Sequence, residues 1–192
     1  GFDTLGEITV LGVAAVGILA LLQGLKLDAP ALDWEGRPWA DERYPLMLRV
    51  LSRPLLPLAL LVSAYLFLRG HNAPGGGFIA GLVTGTAMLL QYVGYGSAWA
   101  RERLPWNYTN VIAAGLLIAT GTGLASWAFG APFLTSTFGY VTWPVVGTFE
   151  LASAMAFDLG IYLSVVGVVM VIISRIGGLS GPTPVAAQRE VR

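Results

Sequence analysis

The segment from Leu151 to Ile173, "LASAMAFDLGIYLSVVGVVMVII", holds a single charged side chain along the length of a membrane crossing. A spanning helix needs about 20 predominantly apolar residues, each advancing about 1.5 Å. Four more segments meet or approach that requirement: Ile8 to Leu25, Val50 to Leu68, Phe78 to Ala98 and Tyr108 to Phe129. Composition agrees, with 55% hydrophobic and only 11% charged residues in 192, against roughly 25% charged in soluble domains. Within lipid every backbone N–H and C=O must be paired inside its own segment, so these runs predict helices. The fold class is therefore all-α: a polytopic membrane helix bundle of five transmembrane helices. A hydrophilic connector, residues 26–49, divides the chain into one helix and four. The expected organisation is a terminal helix (1–25), a linker (26–49), a four-helix domain (50–176) and a flexible tail (177–192).

Charge sets the expected orientation. Lys and Arg in short loops favour the cytoplasm, and an amino terminus outside places Lys26, Arg37, Arg43, Arg49, Arg53, Arg101, Arg103, Arg175, Arg189 and Arg192 inside, leaving only Arg69 outside. The carboxyl terminus is then cytoplasmic. The formal net charge is zero and no basic run occurs, so nucleic acid is not an expected partner. With no cysteine, disulfides, thiolate catalysis and Cys-ligated metals are excluded. The start, "GFDTLGE", lacks Met and has acids where a signal peptide carries positive charge, and it reads as a cut or processed end.

Three stripes of small residues predict close helix packing, which in lipid depends on backbone approach: Gly77, Gly81 and Gly85; Gly115, Ala119 and Gly123; and Ser153, Ala156, Gly160, Ser164 and Gly167. Pro54 and Pro57 are expected in the first turn of the second helix, where a missing N–H costs little. The uncharged connector from Gly130 to Gly147, interrupted by Pro132, Gly139 and Pro144, is expected to lie along the membrane interface as a loop.

Ionisable groups inside the spans need a partner, a water-filled cavity or a proton, because insertion of a charge costs at least ~2.5 to 3.5 kcal/mol. Asp158 is the clearest case. Glu150, Ala154, Asp158 and Tyr162 follow four-residue spacing and would share one helix face, with Tyr162 in reach of the Asp158 carboxyl. Such a ladder suits either a proton or cation relay or a fastening between helices. Glu7, at the start of the first helix, can cap N–H groups or face the same outer cavity as Glu150. The turn "RGHNAPGGGFIAG" has Pro74, Gly75 and Gly76 to reverse the chain abruptly. His71, the sole histidine, can titrate near neutrality at the outer mouth, but alone it cannot complete a metal site. No catalytic residue, metal or cofactor is expected.

"GHNAPGGGFIAGLV" at Gly70 to Val83 and "FDLGIYLSVVG" at Phe157 to Gly167 resemble the B-type component of the Mrp-type multisubunit cation/proton antiporters, also called Mnh. "GFDTLGEITVLG" at Gly1 to Gly12 resembles the end of the large A-type component of that system. The resemblance implies the last helix of an A-type component joined to a four-helix B-type one, in a bacterial plasma membrane. It implies assembly with A-, C-, D-, E-, F- and G-type Mrp components and exchange of Na⁺ or another monovalent cation for H⁺, driven by the proton-motive force. The main pumping machinery is implied to lie in larger components. A scaffold with no ion-conducting role, and a coupling component of a membrane-bound hydrogenase, are the alternatives.

Overall fold

The computed structural model describes residues 1–25, 35, 46–70, 74–136, 138–143 and 147–179; most of the predicted linker, His71 and the tail beyond 179 lie outside the described residues. Among the described residues five helices are long and apolar enough to cross a membrane: α1 (Phe2–Leu22), α2 (Leu46–Arg69), α3 (Gly77–Arg103), α4 (Tyr108–Ala128) and α5 (Ser153–Leu179). The fold class and the number of spans match the sequence reading. One addition is a two-stranded antiparallel hairpin, β1 (Phe138–Trp143) and β2 (Gly147–Ala152), between α4 and α5.

The hairpin corrects two expectations. The Gly130–Gly147 connector is not wholly irregular: its second half pairs with the following residues, Phe138 opposite Ala152 and Trp143 opposite Gly147. The fifth helix consequently begins at Ser153, and Glu150 sits on β2 opposite Tyr140 rather than on the helical face of Asp158. Aromatic and β-branched residues at Tyr140, Val141, Thr142, Trp143, Thr148 and Phe149 favour extended backbone. Apolarity alone, which set the expected boundary, does not separate strand from helix in short runs.

Two further boundaries move. Helix α1 begins at Phe2, six residues before the apolar run, with Asp3 in its first turn opposing the positive end of the helix dipole. Pro54 and Pro57 lie inside α2 rather than in its first turn. Each removes a helical N–H, the one that would reach Val50 O or Arg53 O; two other carbonyls of this stretch accept from α3, Ser52 O from Gln91 Nε2 and Arg49 O from Tyr95 OH at 3.1 Å.

Helix α5 is the centre. Half of its span is buried, against 11% for α2, and α3, α4 and α1 all pack on it while α2 packs on α3. Its core residues Phe157, Ile161 and Val165 meet Ile8 of α1 and Ala119 of α4; one level further along, Val168 and Val171 meet Ala15 and Ile112.

Glycine sets the distances. A Cβ on Gly160 would lie 2.6 Å from both Ala119 N and Gly115 O, so α4 and α5 touch backbone to backbone. Gly81 and Gly85 face Val165 and Val169, each at 2.9 Å from a built Cβ. Gly123 differs from its stripe: it faces the Phe133 ring at 2.6 Å, in the loop after α4, not a helix. That loop hooks back through Ser126 Oγ to Thr135 O at 3.1 Å and Leu134 N to Gly123 O at 3.4 Å.

Gly160→Ala should lower the stability of the detergent-solubilised chain by about 1–3 kcal/mol, the cost of overpacking a closed contact. Gly17→Ala, where a Cβ meets nothing within 4 Å, should be neutral or gain from helix propensity. Thermal unfolding followed by circular dichroism measures both; equal effects would remove the contact as the cause.

Candidate ion site at the Asp158 end of the bundle

The chain after α2 folds over that helix's own end. Gly76 N donates to Leu66 O at 3.0 Å, and a Cβ on Gly75 would stand 2.5 Å from the same oxygen. The Gly70 and Gly76 backbones are in direct contact, leaving no room for a side chain on Gly70. Gly76 adopts φ 102°, a conformation that L side chains rarely enter. Helix α3 starts at the next residue. Three glycines are thus required within one turn for steric reasons alone.

This turn lies against α5 at Asp158. A Cβ on Gly76 would be 3.2 Å from Asp158 Oδ2, and one on Gly77 would overlap the Asp158 carbonyl oxygen and stand 2.8 Å from its carbon. The glycine turn and the "FDLG" segment, which are more than 70 residues apart, therefore form one site. The carboxyl group sits beside the amino end of α3, whose N-cap is a glycine with no side chain to offer. A negative charge there is favoured by the helix dipole.

A cavity of about 340 Å³ opens at this end, lined by Thr4, Thr122, Thr135, Ser136, Ser153 and Asp158, together with the backbone of Gly1 and Gly70. A carboxyl group and five hydroxyls share this lining with the apolar side chains of Leu134, Ala154 and Phe157. Oxygen ligands of this kind suit protons, water and hard monovalent cations. Glu7 is not part of it: Glu7 lies in the second turn of α1 on the exposed face, away from Ile8, which is fully buried against α5 and α4. Glu150 is placed only by its backbone on β2. Among the described residues no group of three metal-ligating side chains occurs.

Tyr162, one turn beyond Asp158, directs its hydroxyl elsewhere. It lies 3.0 Å from Thr84 Oγ1, Thr84 donates to Ser63 Oγ at 2.8 Å, and Ser63 donates to Ala80 O at 2.8 Å. Since Thr84 spends its proton on Ser63, Tyr162 is the donor to Thr84. The Tyr162 ring also meets Phe67 edge-on at 5.9 Å. The chain joins α5, α3 and α2 and ends on a backbone carbonyl, which accepts a hydrogen bond but passes no proton on. Sequence spacing paired Tyr162 with Asp158 because both lie on α5; Thr84 and Ser63 were visible only as hydroxyls on apolar helices.

Residues 47–171 match the family model described as "Domain related to MnhB subunit of Na+/H+ antiporter". The chain belongs to the MnhB family. It is 51% identical over 132 residues to the B-type Na(+)/H(+) antiporter component of Bacillus subtilis, covering 69% of this chain and 92% of that protein. It is 39% identical over 208 residues to the A/B-type component of a probable K(+)/H(+) antiporter of Rhizobium meliloti, covering all of this chain and 21% of that protein. A solved "Structure of Mrp complex from Dietzia sp. DQ12-45-1b" superposes with TM-score 0.74 at 37% identity, covering 92% of this chain and 19% of the matched one. The chain therefore spans about a fifth of the A/B-type relative and nearly the full length of the B-type relative. The MnhB match covers α2 to α5, and the A/B-type match extends through α1.

Thr84→Val and Tyr162→Phe should each cost about 0.5–2 kcal/mol, the range for a hydrogen bond between helices in lipid. The double variant should cost less than the sum, because both remove the same bond. A double-mutant cycle by thermal unfolding checks this; strict additivity would separate the two hydroxyls.

Proposed function

We propose that this chain is a membrane component, or part of one, of a multisubunit monovalent cation/proton antiporter in a bacterial membrane. In this role Asp158 serves ion exchange at the cavity it shares with five hydroxyl side chains. The observation that carries the reading is the placement of that carboxyl group: in a spanning helix, against the glycine turn, at a cavity rich in hydroxyls. An ionisable group held in such a position costs stability unless its charge is used or neutralised. Family membership supports the antiporter context, and the coverage of A/B-type and B-type relatives supports larger Mrp-type components as partners. Relatives named for Na⁺ and for K⁺ both match, so the reading extends to monovalent cations as a class.

The charge pattern supports an outside position for the cavity. Helices alternate in direction, so Arg49, Arg53, Arg103 and Arg175 share one end of the bundle, while Asp3, Glu7, Asp158 and Arg69 share the other. Basic residues favour the cytoplasmic side. A cysteine replacing Ser136, at the cavity rim, should react with an impermeant thiol reagent in intact cells. Protection of that site, with labelling only after permeabilisation, would invert the orientation.

The scaffold reading rests on a different observation: the hydroxyl chain through Tyr162 ends on Ala80 O and fastens three helices. In this proposal Tyr162 fastens and Asp158 exchanges. Asp158→Asn keeps size and hydrogen bonding but holds no charge. The assembled complex should form normally and lose at least about tenfold in cation/proton exchange rate, a factor equivalent to ~1.4 kcal/mol on the barrier, measured by pH-sensitive dye in everted vesicles. Full exchange with normal assembly would leave Asp158 a structural carboxyl group at the amino end of α3. The chain reconstituted alone should show no cation-dependent proton flux.

A further inference from the structure

The end of the bundle opposite Asp158 holds a second constellation, independent of the ion-exchange reading. Three guanidinium groups converge on two stacked rings. Tyr95 and Trp99 stack with centroids 4.7 Å apart. Arg49 and Arg53 lie 5.4 and 5.9 Å from the Tyr95 centroid, and Arg103 lies 5.7 Å from that of Trp99. Arg53 Nε donates to Tyr95 OH at 2.7 Å, and that hydroxyl donates to Arg49 O at 3.1 Å. Two clefts of about 250 Å³ each share Arg53 and Tyr95; one is completed by Leu46, Arg49 and Val50, the other by Leu56, Gln91, Trp99 and Arg103.

Backbone devices build this place. Gly96 breaks α3 with φ 86°, ψ 169°, which turns the segment carrying Trp99 and Arg103 away from the line of the helix while keeping Trp99 stacked on Tyr95. On α2, Gln91 and Tyr95 of α3 donate to two backbone carbonyls, Ser52 O and Arg49 O, beside the two internal prolines. All three arginines are exposed. Among the described residues their charged groups meet aromatic faces and one hydroxyl, with no carboxylate in ion-pair contact. Three cations within two adjoining clefts repel one another, and an anion between them relieves that repulsion.

Depth decides which anion. The spanning part of α3 ends at Gly96, and a Cβ on neighbouring Gly94 would stand 3.3 Å from Ser52 Oγ. Arg49 and Arg53 are therefore within a turn or so of the helical end of the span, level with two aromatic rings, which is where headgroups lie. Phosphate suits guanidinium forks, and basic pockets between transmembrane helices recognise anionic headgroups. We infer that Arg49, Arg53 and Arg103 bind the phosphate of an anionic phospholipid headgroup over the Tyr95–Trp99 stack.

The test uses the full assembled complex containing this chain, in nanodiscs of phosphatidylcholine alone or mixed with phosphatidylglycerol. Native mass spectrometry should show phosphatidylglycerol retained in preference to phosphatidylcholine. Retention should fall roughly fivefold per guanidinium removed in R49Q, R53Q and R103Q, and remain unchanged in R175Q, at the same end but outside the clefts. No preference in the native complex, or a preference that survives the triple substitution, overturns the proposal. Glycerol phosphate binding the clefts as tightly in phosphatidylcholine discs would identify a soluble anion instead. A cross-link from the clefts to an acidic segment of a neighbouring protein in the complex would equally overturn it. Should the triple variant fail to assemble, hydrogen exchange on the native complex decides: residues 97–103 should exchange more slowly with phosphatidylglycerol present, and identical exchange refutes the site.

Discussion

Backbone contact along α5 is the constraint on which the rest depends. Lipid chains are as apolar as leucine, so apolar side chains have no reason to leave lipid for one another, and helices associate where small residues permit close dispersion contact. Helix α5 offers such contact on two sides at once. Gly160 meets Gly115 and Ala119 of α4, and the Asp158–Val169 stretch receives Gly77, Gly81 and Gly85 of α3. Because both neighbours are held at backbone distance from one helix, their ends are fixed with little freedom. The cavity, the glycine turn and the carboxyl group inherit their geometry from that.

Polar groups inside the bundle are distributed by the same economy. Ser63, Thr84 and Ser164 are almost wholly buried, and each has a partner: Ser63 and Thr84 in the chain running to Ala80 O, Ser164 on Gly160 O at 2.9 Å. A satisfied network of neutral hydroxyls adds orientation between helices without the penalty of a buried charge. Asp158 is an ionisable carboxyl group rather than a neutral hydroxyl. It is placed where the amino end of α3 supplies positive potential and where the cavity admits water, two conditions under which an ionisable group can persist in a membrane protein.

The two ends of the molecule are built from opposite materials. At one end are carboxylates, hydroxyls and a glycine turn; at the other, guanidinium groups packed on aromatic rings, with a broken helix and two internal prolines. Both ends use irregular backbone in the same way, because a helix that stops or bends releases N–H and C=O groups that a ligand or a side chain from a neighbouring helix can use. The proposed cation exchange at one end and the proposed lipid attachment at the other are chemically separable.

Much of this was decided by sequence alone. The five spans, their order and the glycine stripes follow from length, apolarity and residue size, which the bilayer reads locally. The family was legible too, since "GHNAPGGGFIAGLV" is long and unusual. Tertiary structure decided what local patterns leave ambiguous. Glu150 left the α5 face because its segment pairs across a hairpin. Glu7 turned outward because Ile8 took the buried face of α1. Gly123 proved to accommodate Phe133 rather than a helix, and Tyr162 bonded Thr84 across the bundle rather than Asp158 on its own helix. Spacing along one helix shows which residues share a face, but the partner that face meets depends on how separate helices dock, and docking is set by contacts between residues far apart in the chain.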